Sequence, residues 1–177
     1  MRRPALILSL LLVLAILFPG LARAQELVLN QVPAQVYFSP RGGAQEAVVR
    51  AIQEARESVF VQAYSFTSAP IAKALVDAHK RGVAVETVLD KSQRTEKYSG
   101  ATFLANAGIP VWIDAAHAIA HNKVMVIDQR RVITGSFNFT KAAEEKNAEN
   151  LLILDSLELA RIYLGNIEAH KAHSERY

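Results

Sequence analysis

Two hydrophobic periods alternate along this chain, and that alternation limits the folds open to it. Residues 58–64, 83–89, 123–127, 132–134 and 151–154 are short runs rich in β-branched and aromatic side chains, of strand length and composition. Between them the apolar positions recur three and four apart. Ala47, Val48, Ala51, Ile52 and Ala55 mark a helix over 44–57. Ser68, as N-cap ahead of Pro70, opens a second helix that Gly82 ends. A first strand at 36–38, a helix at 101–107, a strand at 110–113 and a closing helix from Leu157 to about Lys171 complete the series. Asp128-Gln129-Arg130-Arg131 joins two of the strands as a hairpin. The order predicts an α/β fold, a mixed β-sheet flanked by helices in an αβα sandwich, within a single domain.

The first 24 residues stand outside that pattern. Arg2 and Arg3 precede a nearly unbroken aliphatic run over 5–18, and Ala22-Arg23-Ala24 supplies small residues at positions −3 and −1 of a cleavage site. This is the layout of a secretory signal peptide, and the run is shorter than the roughly 20 residues that span a bilayer. The expectation is cleavage after Ala24, a mature domain over 25–177, no stable membrane span, and a periplasmic or secreted protein. Removal takes three of the 20 Lys and Arg and none of the 17 Asp and Glu, leaving 17 against 17. The net charge of +3 therefore says nothing about an anionic polymer as partner. The chain has no Cys, which excludes disulfides, thiol nucleophiles and thiolate metal sites.

Chemistry concentrates in His121-Asn122-Lys123, followed by Val124–Ile127, Asp128 and then Gly135-Ser136-Phe137-Asn138. In a strand His121 and Lys123 point to one side, and Asp128 falls off that face. Ser136 and Asn138 share a face on the neighbouring segment, and the hairpin brings the two pairs together. Lys, Ser and Asn donate to non-bridging phosphate oxygens, while an imidazole attacks or protonates.

The pattern His-x-Lys, four residues, Asp, six residues, Gly-Ser-x-Asn resembles the signature of the phospholipase D superfamily. The continuation Phe139-Thr140-Lys141-Ala142-Ala143-Glu144 and Asn147-Ala148-Glu149-Asn150-Leu151 is similar to its small bacterial endonucleases with one motif per chain. The resemblance implies a catalytic set of His121, Lys123, Asp128 and Glu149. His121 would be a nucleophile forming a phosphohistidine, and Lys123, Ser136 and Asn138 the phosphate ligands. Glu149 would accept from the ring N–H of His121, with Asp128 in a supporting role. It implies neither metal nor cofactor.

That mechanism needs two histidines and the chain carries one motif, so the expectation is a homodimer sharing one active site. The expected activity is that of a secreted phosphodiesterase, a non-specific, metal-independent endonuclease on DNA, with RNA as a second candidate. A phospholipid or cardiolipin phosphodiesterase is the alternative, because the same groups read the phosphodiester and not its substituents. Elsewhere the plainer readings are preferred. His117 is a loop residue and not half of a zinc pair with His121. His170 and His173 belong to a solvated tail. Tyr64-Ser65-Phe66 is a strand end with core aromatics, with lining of the groove as the sharper reading. Lys91, Arg94 and Lys97 form a charged loop, with a phosphate-contact patch as the sharper reading.

Overall fold

The structure is a computed structural model and describes residues 24–177. Apart from Ala24, the expected export signal lies outside them. The elements are β1 (Ala34–Ser39), α1 (Ala44–Glu54), β2 (Ser58–Ala63), α2 (Ala69–Lys80), β3 (Ala84–Asp90), a 3-10 turn (Lys91–Arg94), α3 (Gly100–Asn106) and β4 (Val111–Asp114). There follow β5 (Lys123–Ile127), β6 (Arg131–Gly135), α4 (Lys141–Glu145), β7 (Glu149–Asp155), α5 (Leu157–Ala172) and β8 (Glu175–Arg176). They form one eight-stranded sheet in the order β1-β7-β6-β5-β2-β3-β4-β8. β2, β3 and β4 run parallel and the other pairings are antiparallel. The expected mixed sheet is present. α4 and β8 were not anticipated, since five and two residues are too short for a period to register.

Strand alternation sorts the apolar side chains onto two faces. Val59, Val61, Ala63, Met125, Ile127 and Ile133 join the larger core with α1, α2 and α3. Val88, Val124, Val126 and Val132 meet Ala160 and Ile167 of α5 in a smaller one. Helices thus cover both faces. Among the described residues no helix is long and apolar enough to cross a membrane.

Register decides what gathers at each edge of the sheet. Lys123 pairs with Ala63, Asp90 with Asp114, and Ser39 with Glu149, while Gly135 pairs with Leu151. The ends of β1, β2, β3, β4 and β6 and the starts of β5 and β7 therefore lie along one edge. The 128–131 turn lies along the other, about 20 Å of strand away.

Candidate active site

His121 and Asn122 precede β5, and the Asn122 carbonyl accepts from Tyr64 N–H at 2.9 Å, which extends the β2–β5 pairing to the mouth. One residue earlier, Ala120 N–H donates to the buried Asp90 carboxylate at 2.7 Å. Asp90 also accepts from Ser92 N–H at 2.9 Å. The segment ahead of His121 is thus held from β3. Asp90→Ala is expected to lower kcat about 100-fold by displacing His121, with a smaller change in KM. A lowered Tm with kcat unchanged would show a purely structural role.

Lys123 is 7 % exposed. Its Nζ donates to the His121 carbonyl at 2.7 Å and lies 5.1 Å from the centre of the Tyr64 ring. The exposed His121 ring packs on the same Tyr64, centroid to centroid 4.7 Å. Tyr64 is therefore a wall of the site and not core, whereas Phe66 is fully buried. Burial pushes the Lys123 pKa down, and the negative charge of Glu149 opposes that shift.

On the hairpin partner, Gly135 has φ +145°, and a Cβ there would stand 2.3 Å from the Asn150 carbonyl oxygen. Only glycine permits that approach. The same carbonyl accepts from Ser136 N–H and Phe137 N–H, both at 3.1 Å. Ser136 Oγ in turn accepts from Asn150 N–H at 3.1 Å and from Asn150 Nδ2 at 3.3 Å. With both lone pairs engaged, its O–H is left to donate. Lys123, having spent one N–H on the His121 carbonyl, retains two. Asn138 Oδ1 is buried and has no partner among the described residues. Donors without internal partners and an exposed imidazole thus meet at one edge, the equipment for gripping and attacking a phosphodiester.

Two expected members of the catalytic set lie apart from His121 within this chain. Asp128 lies at the opposite edge, where its carboxylate accepts from the N–H groups of Arg56, Glu57 and Ser58 at 2.8–3.1 Å. It anchors the α1–β2 connection and touches nothing in the patch. Glu149 is on β7, separated from β5 by β6. Its Oε1 accepts from Asn147 Nδ2 at 3.1 Å, and among the described residues no hydrogen bond joins it to His121. Its effect falls on Lys123. The basic loop is also redefined: Lys91 Nζ donates to the His117 carbonyl at 3.0 Å and Arg94 pairs with Glu175 at 2.9 Å.

Comparison with known proteins identifies the family. The family model described as "Cardiolipin synthase, PLD-like domain" matches residues 48–171. A phospholipase D of Rickettsia bellii is 42% identical over 146 residues, 82% of this chain and 73% of that protein. The mitochondrial cardiolipin hydrolase of Homo sapiens is 31% identical over 163 residues, covering 87% and 65%. The crystal structure of Nuc, a phospholipase D family member from Salmonella typhimurium, superposes with a TM-score of 0.80 at 41% identity, over 83% of this chain and 99% of that one. With that fold and that edge of the sheet, the chain belongs to the phospholipase D superfamily, on the branch of Nuc, and is a phosphodiesterase.

Proposed function

We propose that the protein is a metal-independent endonuclease with little sequence preference, exported after cleavage behind Ala24 to the periplasm or medium. Two copies share one active site. His121 of one copy attacks phosphorus, and the bond from phosphorus to the 3′ oxygen breaks. The protonated His121 of the second copy supplies the proton that the leaving oxygen takes. That second ring, now neutral, removes a proton from water, which attacks the phosphohistidine. A 5′-phosphate product is released and both rings return to their starting states. Lys123, Ser136 and Asn138 hold the non-bridging oxygens and stabilise charge as it builds on them. The two rings start in opposite protonation states although chemically identical.

One observation carries the shared site. His121 is exposed at the edge of the sheet, while three of the other four histidines, His117, His170 and His173, all converge on Asp114. The second histidine that the chemistry needs is best supplied by another copy. Likeness to Nuc over nearly the whole length of that chain favours a nucleic-acid substrate, with DNA foremost.

A lipid phosphodiester is the second reading. Tyr98 and Ile119, on the loops that follow β3 and β4, are 72% and 54% exposed at the same edge. They offer apolar contact to acyl chains beside the phosphate groups. Incubation in chelator with plasmid DNA and, separately, with cardiolipin and phosphatidylcholine vesicles decides. Nicking of DNA without added metal supports the endonuclease. Lipid cleavage alone supports the second reading, and a requirement for added divalent metal overturns the phosphohistidine route.

A further inference from the structure

Away from His121, three imidazoles converge on a single buried carboxylate. Asp114 ends β4 and its side chain is fully buried. Its Oδ2 lies 2.6 Å from His170 Nδ1, 3.0 Å from His117 Nδ1 and 3.4 Å from His173 Nε2. The three ring centroids stand 4.7, 5.2 and 5.4 Å apart. Asp114 Oδ1 is engaged by Ala116 N–H at 3.0 Å and also faces His117 Nδ1 at 3.1 Å. One buried carboxylate thus faces three imidazoles and a backbone N–H, more ring nitrogens than an ordinary hydrogen-bonded carboxylate needs. Clustering three rings that repel when protonated calls for a different positive partner.

We propose that Asp114, His117, His170 and His173 bind one divalent transition-metal ion, with zinc preferred, as a structural centre. The four ligand atoms lie within 4.8 Å of one another. A tetrahedral zinc with bonds of about 2.0–2.1 Å needs donors about 3.3 Å apart, so closure is a contraction and not a rearrangement. The buried carboxylate is the fixed ligand. His117 and His173, with side chains 45% and 39% exposed, have room to turn inward and leave a path for the ion. Three imidazoles and one carboxylate select zinc over magnesium or calcium, which prefer all-oxygen shells.

Four protein ligands leave no open position, which is the mark of a structural ion and not a catalytic one. The ligands come as two pairs, Asp-Ala-Ala-His at 114–117 and His-Lys-Ala-His at 170–173. The first pair follows β4 and the second closes α5, so the ion clamps the chain's last helix to the loop that leads to His121. The other end of that loop is held by Asp90.

The test is zinc titration by calorimetry into the chelator-stripped, dialysed full chain, with thermal unfolding in parallel. Neither readout depends on turnover, so the result stands apart from the proposed reaction. One zinc per chain is expected, with Tm raised by about 5–10 °C at a hundredfold excess over Kd. Magnesium is expected to produce no shift. His117→Ala and His173→Ala, each on an exposed ring whose loss leaves the core intact, should weaken binding by more than about tenfold. His121→Asn should leave it unchanged. Failure of the wild type to bind one equivalent overturns the proposal, as does equal binding in both ligand variants. Loss of binding in His121→Asn would place the ion in the catalytic patch and overturn it too.

Discussion

A chain carrying His121→Asn is expected to lose phosphodiester hydrolysis, kcat falling by roughly five to six orders of magnitude while the fold is kept. The magnitude follows from removing the proposed nucleophile, a role that asparagine cannot fill. Retention of the fold follows from where the ring sits. It is exposed, and it packs on Tyr64 at 4.7 Å. The segment itself is held through the Ala120 and Asn122 backbone, which the substitution leaves alone. Thermal unfolding should therefore shift little. The stronger form of the experiment uses heterodimers, purified by two different tags, of one wild-type and one His121→Asn chain. If one phosphate lies between two His121 rings, the heterodimer has a nucleophile or an acid but never both, and its turnover is near that of the double variant. Half the wild-type turnover per dimer would mean two independent sites and would sink the shared one.

Asp128→Ala tests the other end of the same motif and is expected to act on stability alone. The carboxylate accepts from three consecutive N–H groups, those of Arg56, Glu57 and Ser58. Alanine leaves those donors to water or to nothing. Residue 128 also sits at φ 49° in the hairpin turn, beside Gln129 at φ 53°, a region that aspartate tolerates better than alanine. The loss should be about 2 kcal/mol, discounted for the solvent exposure of two of the three donors, which lowers Tm by about 5 °C. At 25 °C kcat should match the wild type, because Asp128 is at the far edge of the sheet. A kcat reduced a hundredfold in folded protein would restore Asp128 to the catalytic set.

The same carboxylate gives an acid signature. Burial pushes its pKa up, but the N–H groups of Glu57, Ser58 and Arg56, with the charge of Arg131, outweigh that and hold it below the usual range. A depressed folded pKa means that the stabilisation is present above the unfolded value, near pH 4, and is lost as pH falls through the folded one. The Tm difference between wild type and Asp128→Ala should accordingly shrink below about pH 4.

His121, Lys123, Ser136 and Asn138 could be gathered from spacing, because a hairpin with a short turn converts sequence distance into register almost without freedom. Glu149 and Asp128 could not be placed that way. Spacing puts both inside one motif, yet Asp128 follows β5 at the far edge and Glu149 begins a strand two places away. Tyr64 looked like a core aromatic because strand-end aromatics so often are. Its place between His121 and Lys123 depends on β2 pairing antiparallel with β5, a contact across some sixty residues that local pattern does not encode.

The linear chain specified seven of the eight strands, the helices α1, α2, α3 and α5, the α/β class and the β5–β6 hairpin. Each of these rests on forces that act within a few residues: side-chain period, capping, and a turn that fixes the pairing of its own strands. Packing decided the rest. Asp114 and His117 stand more than fifty residues from His170 and His173, and they meet only because α5 crosses the sheet and ends beside β4. Such a meeting depends on how much apolar surface each helix buries against which strands, a property of the whole core and not of any window of sequence. Packing likewise held the His121 segment from β3 through Asp90, and left that imidazole exposed at the edge.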